Sequence, residues 1–316
     1  MQKQAKPKTA KTNQKQWSSR SLAPAFFHRI FYATIKMTGR QTAYFLLFFV
    51  VCFYCLVPNI RKRASYYINR RFGKCGALEN IIHTFRLYWK FGQTLVDRSV
   101  LRILGKFNAV GTENDKATLR KLYAEHKKVI LLTGHTGCWQ MGISYLDFLD
   151  APKAVVMLME KGNVDQHSFK WKAPGEKGPQ EITIINPAGP MGGTLEILDA
   201  LKQKSVLCTT ADRTLGSLKH TVEVDFLGGK IRVPISPYKI AAATETPVAI
   251  SFSNRTGPGE GHFRIVKTMH VPRDTGKGTT RRAQAFAPYA QNFADELEKF
   301  CMDHPYQFYN FYNMWQ

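Results

Sequence analysis

A chain of 316 residues, 44% of them hydrophobic, can bury one large core or two small ones. Its 45 Lys and Arg against 23 Asp and Glu leave a formal charge of +22 and call for an anionic partner: nucleic acid, an anionic membrane surface or an acidic carrier protein. Six scattered cysteines, with only Cys52 and Cys55 at a C-x-x-C spacing and no second Cys/His pair beside them, exclude a disulfide framework and fit a reducing compartment.

No Asp or Glu precedes Glu79, while Lys and Arg recur from Lys3 to Lys74. Residues 1–16 read as a basic, disordered tail, and residues 17–75 as a membrane-anchoring helical segment. Phe26, Phe27, Ile30, Phe31 and Ile35 recur at helical spacing among His28, Arg29 and Lys36, the pattern of a helix lying in an interface. Residues 41–60 carry no charge, and 43–57 are almost wholly apolar. As a helix that inner run reaches only ~22 Å against a hydrocarbon core of ~30 Å. A membrane-inserted or re-entrant hairpin is expected, with a core helix of a soluble protein as the alternative.

Residues 76–316 read as one α/β domain. Residues 79–104 are helical by the recurrence of Ile82, Phe85, Trp89 and Val100. Strands are expected from Val129 to Leu132 and over 154–159, 182–185, 205–210, 222–226, 247–253 and 263–268. Helices are expected over 138–149, 192–202, 236–244 and 283–301. Strands alternating with helices imply a central, mostly parallel sheet flanked by helices.

Three features carry possible chemistry. His135, in Gly134-His135-Thr136-Gly137-Cys138-Trp139-Gln140, follows a strand where a helix begins. Ligands of open α/β sheets bind outside the carboxyl ends of strands, and imidazole takes a proton near neutral pH. The small Gly134 and Gly137 leave room for a substrate. Ala211-Asp212-Arg213 follows the strand at 205–210, so Asp212 is placed to orient the histidine and balance its charge; a plain Asp–Arg loop pair is the alternative. The turn Phe226-Leu227-Gly228-Gly229-Lys230 reads either as a phosphate cradle using backbone amides and Lys230, or as a plain hairpin.

These features in this order resemble the bacterial late acyltransferases of lipid A biosynthesis, within the lysophospholipid-acyltransferase superfamily, and specifically a less characterised branch. The resemblance runs over residues 17–316. It includes Trp17, residues 39–71, Gly92 to Arg98, the three motifs above and the aromatic tail His304 to Tyr312. It implies a membrane-bound enzyme at the cytoplasmic face of the bacterial inner membrane. The implied reaction moves a fatty acyl group from an acyl carrier protein or CoA thioester to a lipid hydroxyl or amine. No metal or cofactor is implied, and no nucleic-acid partner. His135 matches the family's histidine, but Gln140 stands where the family has an acidic residue, after four intervening residues. Either Asp212 supplies the carboxylate while Gln140 orients, or the protein is a catalytically weak or inactive lipid-binding protein that retains the fold. By the same resemblance Lys161 takes the place of an Arg beyond the motif; from the residues themselves Arg213, Gly137, Gly228 and Lys230 are expected to contact substrate, with backbone amides near Gly137, or Arg213, facing the oxyanion.

Overall fold

The computed structural model describes residues 25–149, 153–157, 181–186, 193–214, 220–273 and 283–315. The tail expected at 1–16 and Lys161 lie outside them.

The chain opens with four helices: α1 (Ala25–Thr38), α2 (Arg40–Leu56), α3 (Pro58–Phe72) and α4 (Ala77–Leu104). Gly39, at φ +81°, separates the first two. Pro58 lacks an amide hydrogen and suits the first turn of α3, where the chain bends by 89° out of α2. Among the described residues no single helix is long and apolar enough to cross a membrane; α2 and α3 meet that test only together, across the bend.

The apolar helix α2 is buried on one side only. Ala43, Tyr44, Leu47, Val51 and Cys55 face inward. Leu47 sits where a side chain on Gly92 would be, 2.5 Å from the position of a Cβ, so glycine lets α2 approach α4 closely. The outward side exposes Phe45, Phe48, Phe49, Phe53 and Leu56. Single exposed apolar residues are ordinary, but five on one helix form a patch.

A seven-stranded sheet follows, in the order β1-β9-β8-β2-β5-β3-β4. Its strands are β1 (Asn108–Val110), β2 (Val129–Thr133), β3 (Lys153–Met157), β4 (Glu181–Ile185), β5 (Ser205–Thr210), β8 (Val248–Gly257) and β9 (Glu260–Met269). All pairings are parallel except the β8–β9 hairpin. Between β5 and β8 lie a two-stranded antiparallel ribbon, β6 (Thr221–Phe226) with β7 (Gly229–Pro234), and helix α7 (Ser236–Thr244). The remaining elements are α5 (Glu113–His126), a 3₁₀ segment at Trp139–Phe148, α6 (Thr194–Lys202) and the closing helix α8 (Ala287–Asp303).

Central strand β2 is apolar on both faces, as a parallel strand covered on both sides must be. Ile130 and Leu132 join the main core with Leu297 of α8 and Ala241 of α7. Val129 and Leu131 face Leu119 and Tyr123 of α5. The main core also contains Ile35, Leu47, Tyr67 and Leu87, so the amino-terminal helices share one core with the sheet.

The α/β class, the mostly parallel sheet and the flanking helices match the expectation, with four adjustments. Residues 138–149 are largely 3₁₀ rather than α-helical, and the last helix starts at Ala287, where Pro288 occupies its first turn. The strands expected at 247–253 and 263–268 extend to Gly257 and back to Glu260, because they close on each other as a hairpin. The short β1 and helix α5 carry little apolar periodicity and left no clear sequence signal.

One buried ion cluster joins the helices to the sheet. Asp97 of α4 is fully buried; Arg255 Nε of β8 donates to its Oδ2 at 2.7 Å, and Arg40 Nε of α2 lies 2.9 Å from its Oδ1. Tyr44 Oη donates to the same Oδ1 at 2.5 Å and accepts from Arg255 Nη2 at 2.7 Å. Breaking a buried pair strands its partner's charge in a low-dielectric site. Asp97→Ala, which leaves Arg255 without its carboxylate, should lower the unfolding free energy by about 3–5 kcal/mol in denaturant titrations of the purified chain.

Candidate active site

The site begins with register. Strands β2 and β5 are adjacent and parallel, with Thr133 opposite Thr210 at their carboxyl ends. The Ala211 amide continues the pairing by donating to the Thr133 carbonyl at 2.9 Å. His135 and Asp212 each stand two residues beyond those partners, so the sheet delivers imidazole and carboxylate to the same edge. His135 Nδ1 lies 2.8 Å from Asp212 Oδ1 and 3.1 Å from Oδ2. With Nδ1–H donating to the carboxylate, Nε2 is the nitrogen left for a substrate. The imidazole keeps 18% of its surface exposed while the carboxylate is fully buried, which is the accessibility a base and its orienting acid need. The Trp139 ring lies 5.2 Å from the imidazole.

Electrostatics separate the two groups. Burial, reinforced by Arg213, outweighs the Asp212 carboxylate and holds the imidazole below its ordinary pKa, so it is neutral at neutral pH. Burial disfavours the Asp212 carboxylate, but His135 and Arg213 overcome it and bring the pKa down to about 2. The pair is thus a neutral base beside a permanent anion.

The C-terminal segment beyond α8 holds this pair in place. It runs antiparallel to the His135 loop, bridging Thr136 to Phe308. The Tyr309 amide donates to the His135 carbonyl at 2.9 Å, and the Gly137 amide donates to the Gln307 carbonyl at 2.8 Å. Gln307 in turn accepts from the Arg255 amide through Oε1 at 2.7 Å. Asn310 Nδ2 donates to Asp212 Oδ2 at 3.0 Å, and its Oδ1 accepts from Arg213 Nε at 2.5 Å. Arg213 Nη2 also donates to the Tyr309 carbonyl. Asp212 therefore has both oxygens engaged, one by the imidazole and one by the buried amide of Asn310.

The other expected site residues have different placements. Gln140 turns Oε1 to Arg98 Nη1 at 2.8 Å, leaving the orientation of His135 to Asp212. The Gly137 amide is taken by Gln307, so it does not supply the expected oxyanion donor. Its missing side chain makes room for β8 rather than for substrate: a Cβ there would lie 1.9 Å from the Ser253 carbonyl oxygen, and its φ is +46°. Arg213 braces the C-terminal segment through Tyr309 and Asn310 in place of the expected oxyanion contact. Lys230 is exposed and ion-paired across its hairpin with Asp225 at 3.1 Å and Glu223 at 3.6 Å, while the Gly228 carbonyl accepts from Arg70 at 3.0 Å. The hairpin reading fits these contacts better than the phosphate cradle. Cys138 is buried beside Met141 and Phe263, and burial pushes its thiol up to about 12, so it is no nucleophile.

Asn310 is the residue that the sequence did not single out. It sits in an aromatic tail, and only the folded chain brings it to Asp212. Gly137→Ala combines a left-handed backbone with a clash against β8. It should destabilise the fold by at least about 2 kcal/mol, read as a lowered unfolding midpoint.

With this geometry in place, comparison with known proteins is informative. A family model described as bacterial lipid A biosynthesis acyltransferase matches residues 84–316, which span the whole sheet, His135, Asp212 and the C-terminal segment. No curated protein matches the chain. The match covers well over half of the sequence: the chain belongs to the bacterial lipid A biosynthesis acyltransferase family, acyltransferases that act on lipid.

Proposed function

We propose that this protein transfers a fatty acyl group directly from an acyl carrier protein or CoA thioester to a hydroxyl or amine of a lipid or glycolipid. The observation that carries the reading is the His135–Asp212 pair, 2.8 Å apart at the carboxyl edge of the sheet. In this reading His135 Nε2 takes the proton of the acceptor as its oxygen or nitrogen attacks the thioester carbonyl. The tetrahedral adduct then collapses, the carbon–sulfur bond breaks, and the imidazolium returns its proton to the leaving thiolate. Asp212 keeps the imidazole in the Nδ1–H tautomer and offsets its transient charge. Asn310, Arg213 and the C-terminal segment act as positioning groups.

The reading extends to place. The exposed phenylalanines of α2 and the absence of acidic residues before Glu79 suit a helix lying at an anionic bilayer surface. We place the protein at the cytoplasmic face of the bacterial inner membrane, where thioester donors are available. The charge of +22 favours acidic donors as well as anionic lipid. A lipid-binding protein without turnover is the second reading, and Gln140 at the place of the family's acidic residue is the observation in its favour.

Purified protein supplied with labelled acyl thioester and a total lipid extract should form an acylated lipid, and His135→Ala should reduce the rate to background. Product from the His135→Ala variant at the native rate would remove the base; no product from either would favour the second reading. Asp212→Asn should lower kcat by roughly 10³–10⁴-fold, because the amide favours the wrong imidazole tautomer. Catalysis requires neutral His135, whose pKa is lowered from its ordinary value of 6.5. Activity should therefore persist as pH falls to 6.5 and decline only below it, read from kcat/KM against pH. Flotation with vesicles containing anionic lipid should carry the wild-type chain upward. Replacing Phe45, Phe49 and Phe53 with Ser should leave most of it in the dense fraction.

A further inference from the structure

Where α3 gives way to α4, the chain assembles three groups of a different kind. Cys75, Glu79 and His83 bring a thiol sulfur, a carboxylate oxygen and an imidazole nitrogen within 4.8 Å of one another. Glu79 and His83 stand one turn apart on the same side of α4, and Cys75 lies two residues before that helix begins. Glu79 Oε1 is 3.7 Å from His83 Nε2. The acyl-transfer chemistry does not use them.

The histidine is held as a ligand would be. Its ring stacks on Phe72 at 4.0 Å between centroids, and Tyr306 is near-parallel to it at 5.8 Å. Nδ1 lies 2.8 Å from Tyr306 Oη, which also accepts from Arg86 Nη1 at 3.3 Å. The phenol can accept from Nδ1–H or donate to bare Nδ1, and an ion at Nε2 selects the tautomer in which Nδ1–H donates to it. That tautomer directs the Nε2 lone pair toward Glu79 and Cys75. Metal-bound histidines are commonly fixed in this way through their other nitrogen.

We propose that Cys75, Glu79 and His83 bind a divalent cation of the zinc class, with water completing a tetrahedron. The donor set decides the class. Magnesium and calcium select oxygen ligands, whereas thiolate, imidazole and carboxylate together suit zinc. Bond lengths of about 2.0–2.3 Å to zinc require neighbouring ligand atoms to stand roughly 3.3–3.8 Å apart. Glu79 and His83 already stand 3.7 Å apart, so the contraction from the present spread falls on Cys75, which lies just before the helix. Thiolate and carboxylate also supply two negative charges, which compensate the cation in a basic neighbourhood that includes Lys74 and Arg86. The ion would tie the α3–α4 corner, through His83 and Tyr306, to the start of the segment that positions His135 and Asp212. The site is a structural clamp and stands or falls independently of the acyl-transfer reading.

The test uses the full chain in detergent, stripped by chelator and titrated with Co²⁺ as a spectroscopic probe. One equivalent should bind, with a thiolate-to-cobalt charge-transfer band in the near ultraviolet, and zinc should displace it. Cys75→Ser should abolish the band. Glu79→Gln, an exposed change that leaves packing intact, should weaken cobalt binding at least about tenfold. The double substitution Cys52→Ser with Cys55→Ser should leave the titration unchanged. Metal should also slow amide hydrogen exchange at residues 304–310. No saturable cobalt binding, a band that survives Cys75→Ser, or a band lost with Cys52 and Cys55 would overturn the proposal.

Discussion

The antiparallel approach of the C-terminal segment to the His135 loop is the constraint on which the candidate site depends. Two main-chain hydrogen bonds, from Tyr309 to His135 and from Gly137 to Gln307, fix the backbone that carries the imidazole. A loop at a sheet edge has few partners of its own, so these bonds replace the order that a longer strand would have given it. The same segment brings Asn310 to the carboxylate, so both oxygens of the buried Asp212 anion meet a hydrogen-bond donor. A buried anion without such partners would protonate or unfold its surroundings. Gly137 permits the approach, because any side chain there would strike β8.

The Asp97 cluster does for the helices what the C-terminal segment does for the loop. A buried carboxylate shared by two guanidiniums and a phenol is weak evidence for net stability, since desolvation offsets much of the attraction. Its effect is on geometry: Arg40, Tyr44, Asp97 and Arg255 satisfy one another only when α2, α4 and β8 meet in one arrangement. Arg255 also links this cluster to Gln307: its main-chain amide donates to the Gln307 side-chain oxygen and its carbonyl accepts from the Gln307 side-chain amide. The amino-terminal helices, the sheet and the C-terminal segment are thereby joined, and the outward phenylalanines of α2 keep a fixed orientation relative to the His135 edge.

Much of this was legible because apolar period and turn chemistry are local. The strand at Val129–Leu132, the helix Ser236–Thr244 and the strand Ser205–Thr210 follow from uninterrupted apolar runs bounded by Gly, Pro and polar residues. The placement of His135 and Asp212 after two strands was also readable. Less accessible were elements whose identity comes from pairing, such as β1, which exists because β9 lies beside it. The neighbours of Gly137 and Arg213 were not readable locally for a similar reason. A glycine beside a histidine suggests substrate space, and an arginine beside an aspartate suggests anion contact, but the β8 backbone lies against the first, and the Tyr309 carbonyl and Asn310 side chain engage the second.

The sequence by itself determined the α/β class, the apolar amino-terminal helices, the charge asymmetry and the two residues that make the candidate base and its acid, since each is written in the order of side chains along a short stretch. Only the tertiary structure decided that β2 and β5 are neighbours in matched register, which places His135 within 2.8 Å of a carboxylate 77 residues away. It likewise decided that Asn310 rather than Gln140 completes the arrangement. Register and long-range contact depend on how whole elements pack, and no local pattern encodes them.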